Sequence, residues 1–194
     1  MKPLIVIPAA GQSVRMRGGD KLLEEVEGRS LLRRQALAAL ATGCEVAVML
    51  PPGHTARHAA LAGLVVRHVE VPDAAEGLGA TLRAAARLVA EEQPLAVLLP
   101  DVPGVGTAEI EAVLAAFGEA GETRVTRASD PEGRPGTPVV FPAPLLRRFS
   151  KLTGDDGGRW LIDKGKVVQV PFADDRATLD LDTPEDWAAW RARH

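Results

Sequence analysis

Residues 4–21 read LIVIPAAGQSVRMRGGDK. The run 4–7 is aliphatic, Ile5, Val6 and Ile7 are β-branched, and Pro3 and Pro8 bound it, which predicts a short strand buried on both faces. The segment leaving it, from Pro8 to Lys21, carries three glycines, two arginines and one lysine. Glycine has no Cβ to keep an anion away from main-chain N–H groups, so this turn predicts a phosphate loop. It matches neither common phosphate spacing. From Gly11 the next glycines are Gly18 and Gly19, and Lys21 is followed by Leu22 rather than by a hydroxyl residue. The alternative is a strand-to-helix turn whose basic residues are simply solvated.

Outward from that stretch, further apolar runs at 46–50, 65–69, 96–99, 123–126, 138–141 and 167–170 alternate with helical patterns. That alternation predicts an α/β fold, with a mostly parallel central sheet flanked by helices. Ser30 is placed to cap a helix running to Thr42, and 81–92 carries Leu82, Ala85, Ala86 and Val89 at helical spacing. Thr107 precedes Ile110, Val113, Leu114 and Phe117 on one face, with Glu109 and Glu111 near the positive end of the helix dipole. Thr183-Pro184-Glu185-Asp186 reads as an N-cap, a proline at the first helical position and first-turn acids, and Trp187 and Trp190 then face the core together.

The 194 residues suit one domain spanning 1–194. A formal net charge of −3 with interspersed signs argues against a nucleic-acid partner. The lone Cys44 rules out an internal disulfide and a multi-cysteine zinc site. No run is long enough to span a membrane and no leader-like segment precedes the first strand, so a cytoplasmic location is expected. His54, His58 and His68 have no metal or triad spacing and read as ordinary surface residues.

Open α/β sheets bind ligands beyond the carboxyl ends of their strands. Three polar clusters fall there: Gly11 to Lys21, Asp101 after Leu98-Leu99-Pro100, and Asp180 with Asp182. A basic loop facing carboxylates suits a nucleotide phosphate chain with a divalent cation, and oxygen ligands favour Mg²⁺ or Mn²⁺ over zinc. Each aspartate taken alone reads equally as a turn former or a cap.

Taken together, these residues resemble the MobA/MocA-like nucleotidyltransferases, which attach a nucleotide to molybdopterin. The likeness rests on Ala9-Ala10-Gly11-Gln12-Ser13-Val14-Arg15-Met16 with Lys21-Leu22-Leu23, on Ala75-Glu76-Gly77-Leu78, on Asp101-Val102-Pro103, on 133–141, and on Gly154-Asp155 through Asp180-Leu181-Asp182-Thr183-Pro184-Glu185-Asp186. It implies a Rossmann-like nucleotidyltransferase domain. The backbone of Ala9, Ala10 and Gly11 would lie along the nucleotide, Arg15 and Lys21 would meet the triphosphate, and Glu76 and Gly77 would border base and ribose. Asp101 would be the principal metal ligand and a catalytic residue with Arg15 and Lys21, Asp182 the second ligand, and Asp180 its neighbour. The chain departs from the family pattern at Pro100, where glycine is common, at Thr137, where histidine is common, and at Gly79-Ala80-Thr81, where serines are frequent.

The reaction implied is attack of an acceptor phosphate oxygen on the α-phosphorus of a nucleoside triphosphate, with release of pyrophosphate. A phosphate monoester, with a second pKa near ~6, is already largely dianionic at neutral pH, so no general base is needed. Pro8-Ala9-Ala10-Gly11 resembles the loop of cytosine-using members more than that of guanine-using ones, which implies CTP over GTP, a molybdopterin-type acceptor, and a receiving molybdoenzyme or chaperone as partner. Guanylyl transfer in the same pathway, transfer to another phosphorylated acceptor such as a sugar phosphate, and a non-catalytic nucleotide-binding regulator are the alternatives.

Overall fold

The first aliphatic run forms β1 (Leu4–Pro8), an interior strand of the principal sheet of a computed structural model that describes residues 1–155, 157–162 and 167–193. β1 pairs in parallel with β4 (Val46–Leu50) on one side and with β6 (Leu95–Val97) on the other, in the registers Ile5 with Val46 and Val6 with Val97. A two-stranded hairpin, β2 (Glu25–Val26) and β3 (Arg29–Ser30), stands apart from this sheet. With β5 (Arg67–Glu70), β7 (Thr126–Ser129), β8 (Pro135–Phe141) and β9 (Val168–Pro171), the seven strands run in the order β5-β4-β1-β6-β8-β7-β9. Only β8 runs against its neighbours. The expected mostly parallel sheet is therefore observed, and the strand order turns back at β1, which puts a ligand-binding crevice beyond its carboxyl end.

Burial on both faces explains the unbroken apolar runs. Ile5, Ile7 and Ala9 pack with α1 (Leu31–Ala41) and α4 (Thr107–Glu119), through Leu32, Ala36, Ile110, Val113 and Phe117. Leu4, Val6 and Ala10 pack on the opposite face, against α3 (Leu78–Ala86) and the edge-to-face pair Phe141 and Phe149. A third, smaller cluster joins Met16 of the first loop to Leu31, Leu181 and Trp187 of the last helix, and Trp190 packs edge-on against Trp187.

Element boundaries differ from the sequence reading at several elements; β6 ends at Val97 rather than Leu99, and β8 begins at Pro135 rather than Pro138. β5 begins at Arg67 rather than Val65, which is 90% exposed, because only Arg67 to Glu70 find partners on β4. β7 begins at Thr126, three residues late: α4 unwinds through Gly121 and Glu122, both at positive φ, and the chain must climb back before it meets β8 and β9. α3 starts at Leu78 and ends at Ala86, earlier at both ends than 81–92, because Gly77 at φ 115° supplies the turn into it. α4 begins at Thr107, after Gly106, whose N–H donates to Glu109 Oε2 at 2.9 Å. The short helix α2 (Thr55–Ala60) follows β4 and carries His58. Two further short helices, α5 (Ala143–Leu146) and α6 (Pro184–Arg191), complete the chain, and no helix among the described residues is long and apolar enough to cross a membrane.

Candidate active site

The loop after β1 is made rigid before any ligand is considered. Ser13 and Arg17, at φ 50° and 52°, bracket a single 3-10 turn over Val14–Met16, and Met16 anchors that turn in the third apolar cluster. The loop therefore stands as a wall along the carboxyl end of the sheet.

Lys21 lies at its foot with a side chain only 17% exposed, and its ammonium donates to Asp101 Oδ2 at 2.6 Å and to Asp182 Oδ1 at 2.5 Å. Arg15 reaches the other oxygen of Asp182 at 2.6 Å. Residues 80 and 161 positions away from Lys21 are thus drawn to one point. Burial disfavours the charge on Lys21, but the two carboxylates outweigh it and hold its pKa above the usual lysine value. Asp180 is different. Burial, followed by repulsion from Asp182, pushes its carboxyl above the ordinary aspartate range.

Backbone bonds hold this group together. The Leu181 N–H donates to the Asp101 carbonyl at 3.1 Å, and the Asp182 N–H donates to Asp186 Oδ2 at 3.2 Å within the cap of α6. Asp101 Oδ1 is buried with no hydrogen-bond partner among the described residues. A carboxylate oxygen left in this state is costly unless a cation completes it, so the donor set fits a hard divalent ion. No three His, Cys, Asp or Glu side chains among the described residues form a ready-made metal cage, because Lys21 lies between the two aspartates.

Two cavities meet here. One of about 520 Å³ is lined by Pro8, Ala10 to Arg15, Lys21, Gly77, Thr81 and Asp182. The other, of about 880 Å³, is lined by Arg127, Gly136, Thr137, Thr178 and Asp180. Leu78, Leu99, Asp101 and Asp155 line both. Thr137 is buried and structural: its hydroxyl accepts the Leu99 N–H at 2.9 Å, tying β8 to the strand that leads into Asp101. Gly136 approaches Ala177 so closely that an added Cβ would strike the Ala177 backbone.

Of the residues expected at the site, Ala10, Gly11, Arg15, Lys21, Gly77, Asp101 and Asp182 line the first cavity, and Asp180 the second. Ala9 is fully buried and faces the protein, its carbonyl accepting from Arg57. Glu76 is outside the lining of both cavities; it pairs with Arg83, at 2.8 and 2.5 Å, and accepts the Gly154 N–H at 3.4 Å. Sequence reasoning missed Arg57 behind the loop and Arg127 in the second cavity.

A parallel sheet whose first loop presents bare backbone and two cations to carboxylates from two later connections is built to handle a nucleoside triphosphate. The chain belongs to the MobA-like NTP transferase domain family, which matches residues 5–170. That match stops short of Asp180 and Asp182, so their place at the site comes from the structure. Rv0371c from Mycobacterium tuberculosis is similar at 26% identity, with a TM-score of 0.83 and 98% of each chain covered. A manganese complex of the same mycobacterial protein superposes with a TM-score of 0.73 at 23% identity over 97% of each chain. A nucleotidyl transferase from Methanothermobacter thermautotrophicus superposes with a TM-score of 0.77 at 24% identity, covering all of this chain and 97% of its own. No curated protein sequence matches significantly.

Proposed function

We propose that the chain, acting as one domain over residues 1–194, transfers CMP from CTP to the phosphate of a molybdopterin-type acceptor and releases pyrophosphate. The observation that carries this reading is the pair of cavities sharing Asp101: one walled by the glycine loop, Arg15 and Lys21, the other large enough for a phosphorylated acceptor.

An acceptor phosphate oxygen forms the new bond to the α-phosphorus, and the bond from that phosphorus to the β-phosphate bridging oxygen breaks. The dianionic acceptor needs no base. The barrier is the approach of one anion to another, so the chain's task is to place positive charge. Lys21 and Arg15 leave their aspartates for the triphosphate and stabilise the departing pyrophosphate, while loop amides act as fixed donors. Asp101 and Asp182, with Asp180 beside them, would hold Mg²⁺ or Mn²⁺, which supplies charge neutralisation between the two phosphates. The manganese complex of the structurally similar mycobacterial protein supports a divalent ion in this reading. Transfer of the product to a receiving molybdoenzyme or chaperone belongs to the same reading.

Asp101→Asn tests it, since the change keeps the side chain's shape and removes its charge. Pyrophosphate release from CTP with the molybdopterin acceptor should be abolished, with Tm within a few degrees of wild type. Near wild-type turnover of the variant at saturating Mg²⁺ would remove Asp101 from the metal role. Faster turnover with a sugar phosphate than with the molybdopterin acceptor would reassign the substrate.

A further inference from the structure

The side chain that grips the first loop most firmly comes from outside every motif in the sequence. Arg57, on α2, is 1% exposed, and its guanidinium is directed at the back of the loop. Nε and one terminal nitrogen donate to the two oxygens of Asp20 at 2.7 and 2.8 Å. The other terminal nitrogen donates to the carbonyls of Ala9 and Gly11, both at 2.7 Å, and the Ser13 hydroxyl lies 3.3 Å from the first. Asp20 in turn accepts the Leu22 N–H at 3.1 Å and the Ser13 hydroxyl at 3.2 Å. Lys21 is therefore held from both sides by its neighbours' bonds. Burial works against the negative charge of Asp20, yet its bonds to Arg57 outweigh that cost and keep it ionised. His54 Nδ1 accepts the Arg57 N–H at 3.3 Å, fixing the start of α2.

The geometry of the peptide unit gives these bonds a direction. In a planar trans peptide the carbonyl of one residue and the N–H of the next point opposite ways. Drawing the Ala9 and Gly11 carbonyls back onto Arg57 turns the N–H groups of Ala10 and Gln12 to the other side of the loop, where both residues line the first cavity. The planar fork of a guanidinium reaches a carboxylate and two carbonyls at once, a task beyond the three donors of an ammonium. A buried ion pair adds little stability over a well-packed apolar pair, so stability alone does not explain this placement.

We infer that Arg57 is a positioning residue for the triphosphate: through Asp20 and the Ala9 and Gly11 carbonyls it presets the loop amides and the Lys21 ammonium before nucleotide arrives. This rests on the NTP-transfer reading above.

The test compares binding of a triphosphate with binding of its own monophosphate, because a loop that grips the β- and γ-phosphates acts on the first and hardly on the second. Calorimetry with Mg²⁺ is run for wild type, Arg57→Lys, Arg57→Ala, and the double variant Arg57→Met/Asp20→Asn, in which no buried charge is left unpaired. The nucleotide is whichever of CTP and GTP wild type binds more tightly. The triphosphate Kd should rise at least tenfold in all three variants, with the monophosphate Kd changed less than about twofold. Millimolar guanidinium should restore part of the lost affinity in Arg57→Ala and none in the double variant. Equal losses for triphosphate and monophosphate, or an unchanged triphosphate Kd in the folded double variant, would reduce Arg57 to a structural ion pair and overturn the inference. Failure of wild type to bind either triphosphate would instead overturn the NTP-transfer reading, and the inference with it.

Discussion

Ala10 is 3% exposed and lines the first cavity. On the cytidylyl-transfer reading proposed above, its Cβ would narrow the space for a bicyclic base, so kcat/KM should favour CTP over GTP, and Ala10→Gly should raise GTP use. One methyl is worth ~1–3 kcal/mol of discrimination, so a preference rather than exclusion is expected. Better use of GTP by the wild type would sink the assignment. Lys21→Ala removes a charge-assisted contact worth ~1.5–3 kcal/mol, and NTP affinity or turnover should fall at least tenfold. Unchanged kinetics would return the loop to an ordinary turn. Lys21, Asp101 and Asp182 were legible in the sequence because charged residues at strand ends in an α/β chain have one edge on which to gather. Arg57 was not legible. It lies on a six-residue helix without apolar periodicity, and two of its partners are main-chain carbonyls, which no side-chain pattern reveals.

At the scale of elements, the last helix was read from Thr183-Pro184-Glu185-Asp186, and the structure shows the reciprocal cap in full. Thr183 Oγ1 accepts the Asp186 N–H at 3.1 Å, and Asp186 Oδ2 accepts the Thr183 N–H at 2.9 Å. The same carboxylate holds the Asp182 N–H, so the cap also aims a site residue. Thr183→Ala should cost ~1 kcal/mol of stability by denaturant titration and should lower turnover as well. A stability loss with full activity would separate the cap from the site. Strands were legible where burial on both faces demands apolar runs, as at β1 and β4. Their ends were not, because boundaries such as Thr126 and Arg67 depend on which residues of a neighbouring strand remain to be paired, a fact of tertiary register.

The whole molecule carries opposed titrations. Burial pushes Asp20 and Glu109 upward, but Arg57 and Arg176 outweigh it and hold both below the usual range; the Thr183 hydroxyl does the same for Asp186. Exposed Asp174 is held down to about 2 by Arg176. Groups depressed on folding contribute stability above their unfolded pKa, ~3.9 for Asp and ~4.3 for Glu, and lose it as pH falls through the folded values. Asp180 runs the other way, since its raised pKa favours the folded, protonated form as pH drops. Lys21 stabilises fully below ~10.4 and ceases to as pH rises through its raised folded value. Tm should therefore hold a plateau at neutral pH and fall at both ends. Asp20→Asn should lower the plateau and flatten the acid limb, and an acid limb as steep as that of wild type would exclude Asp20 as its source.

The cluster of Met16, Leu31, Leu181 and Trp187 has a consequence in time. All seven strands of the principal sheet have emerged by Pro171, yet Asp182 and the helix that locks the first loop come later in the chain. During synthesis, which proceeds from the amino end, the sheet can assemble while the ring of Lys21, Arg15, Asp101 and Asp182 is still open. The Asp182 side of the site, and the helix packed against the first loop, are thereby the last parts to be added to a scaffold whose strands are already made.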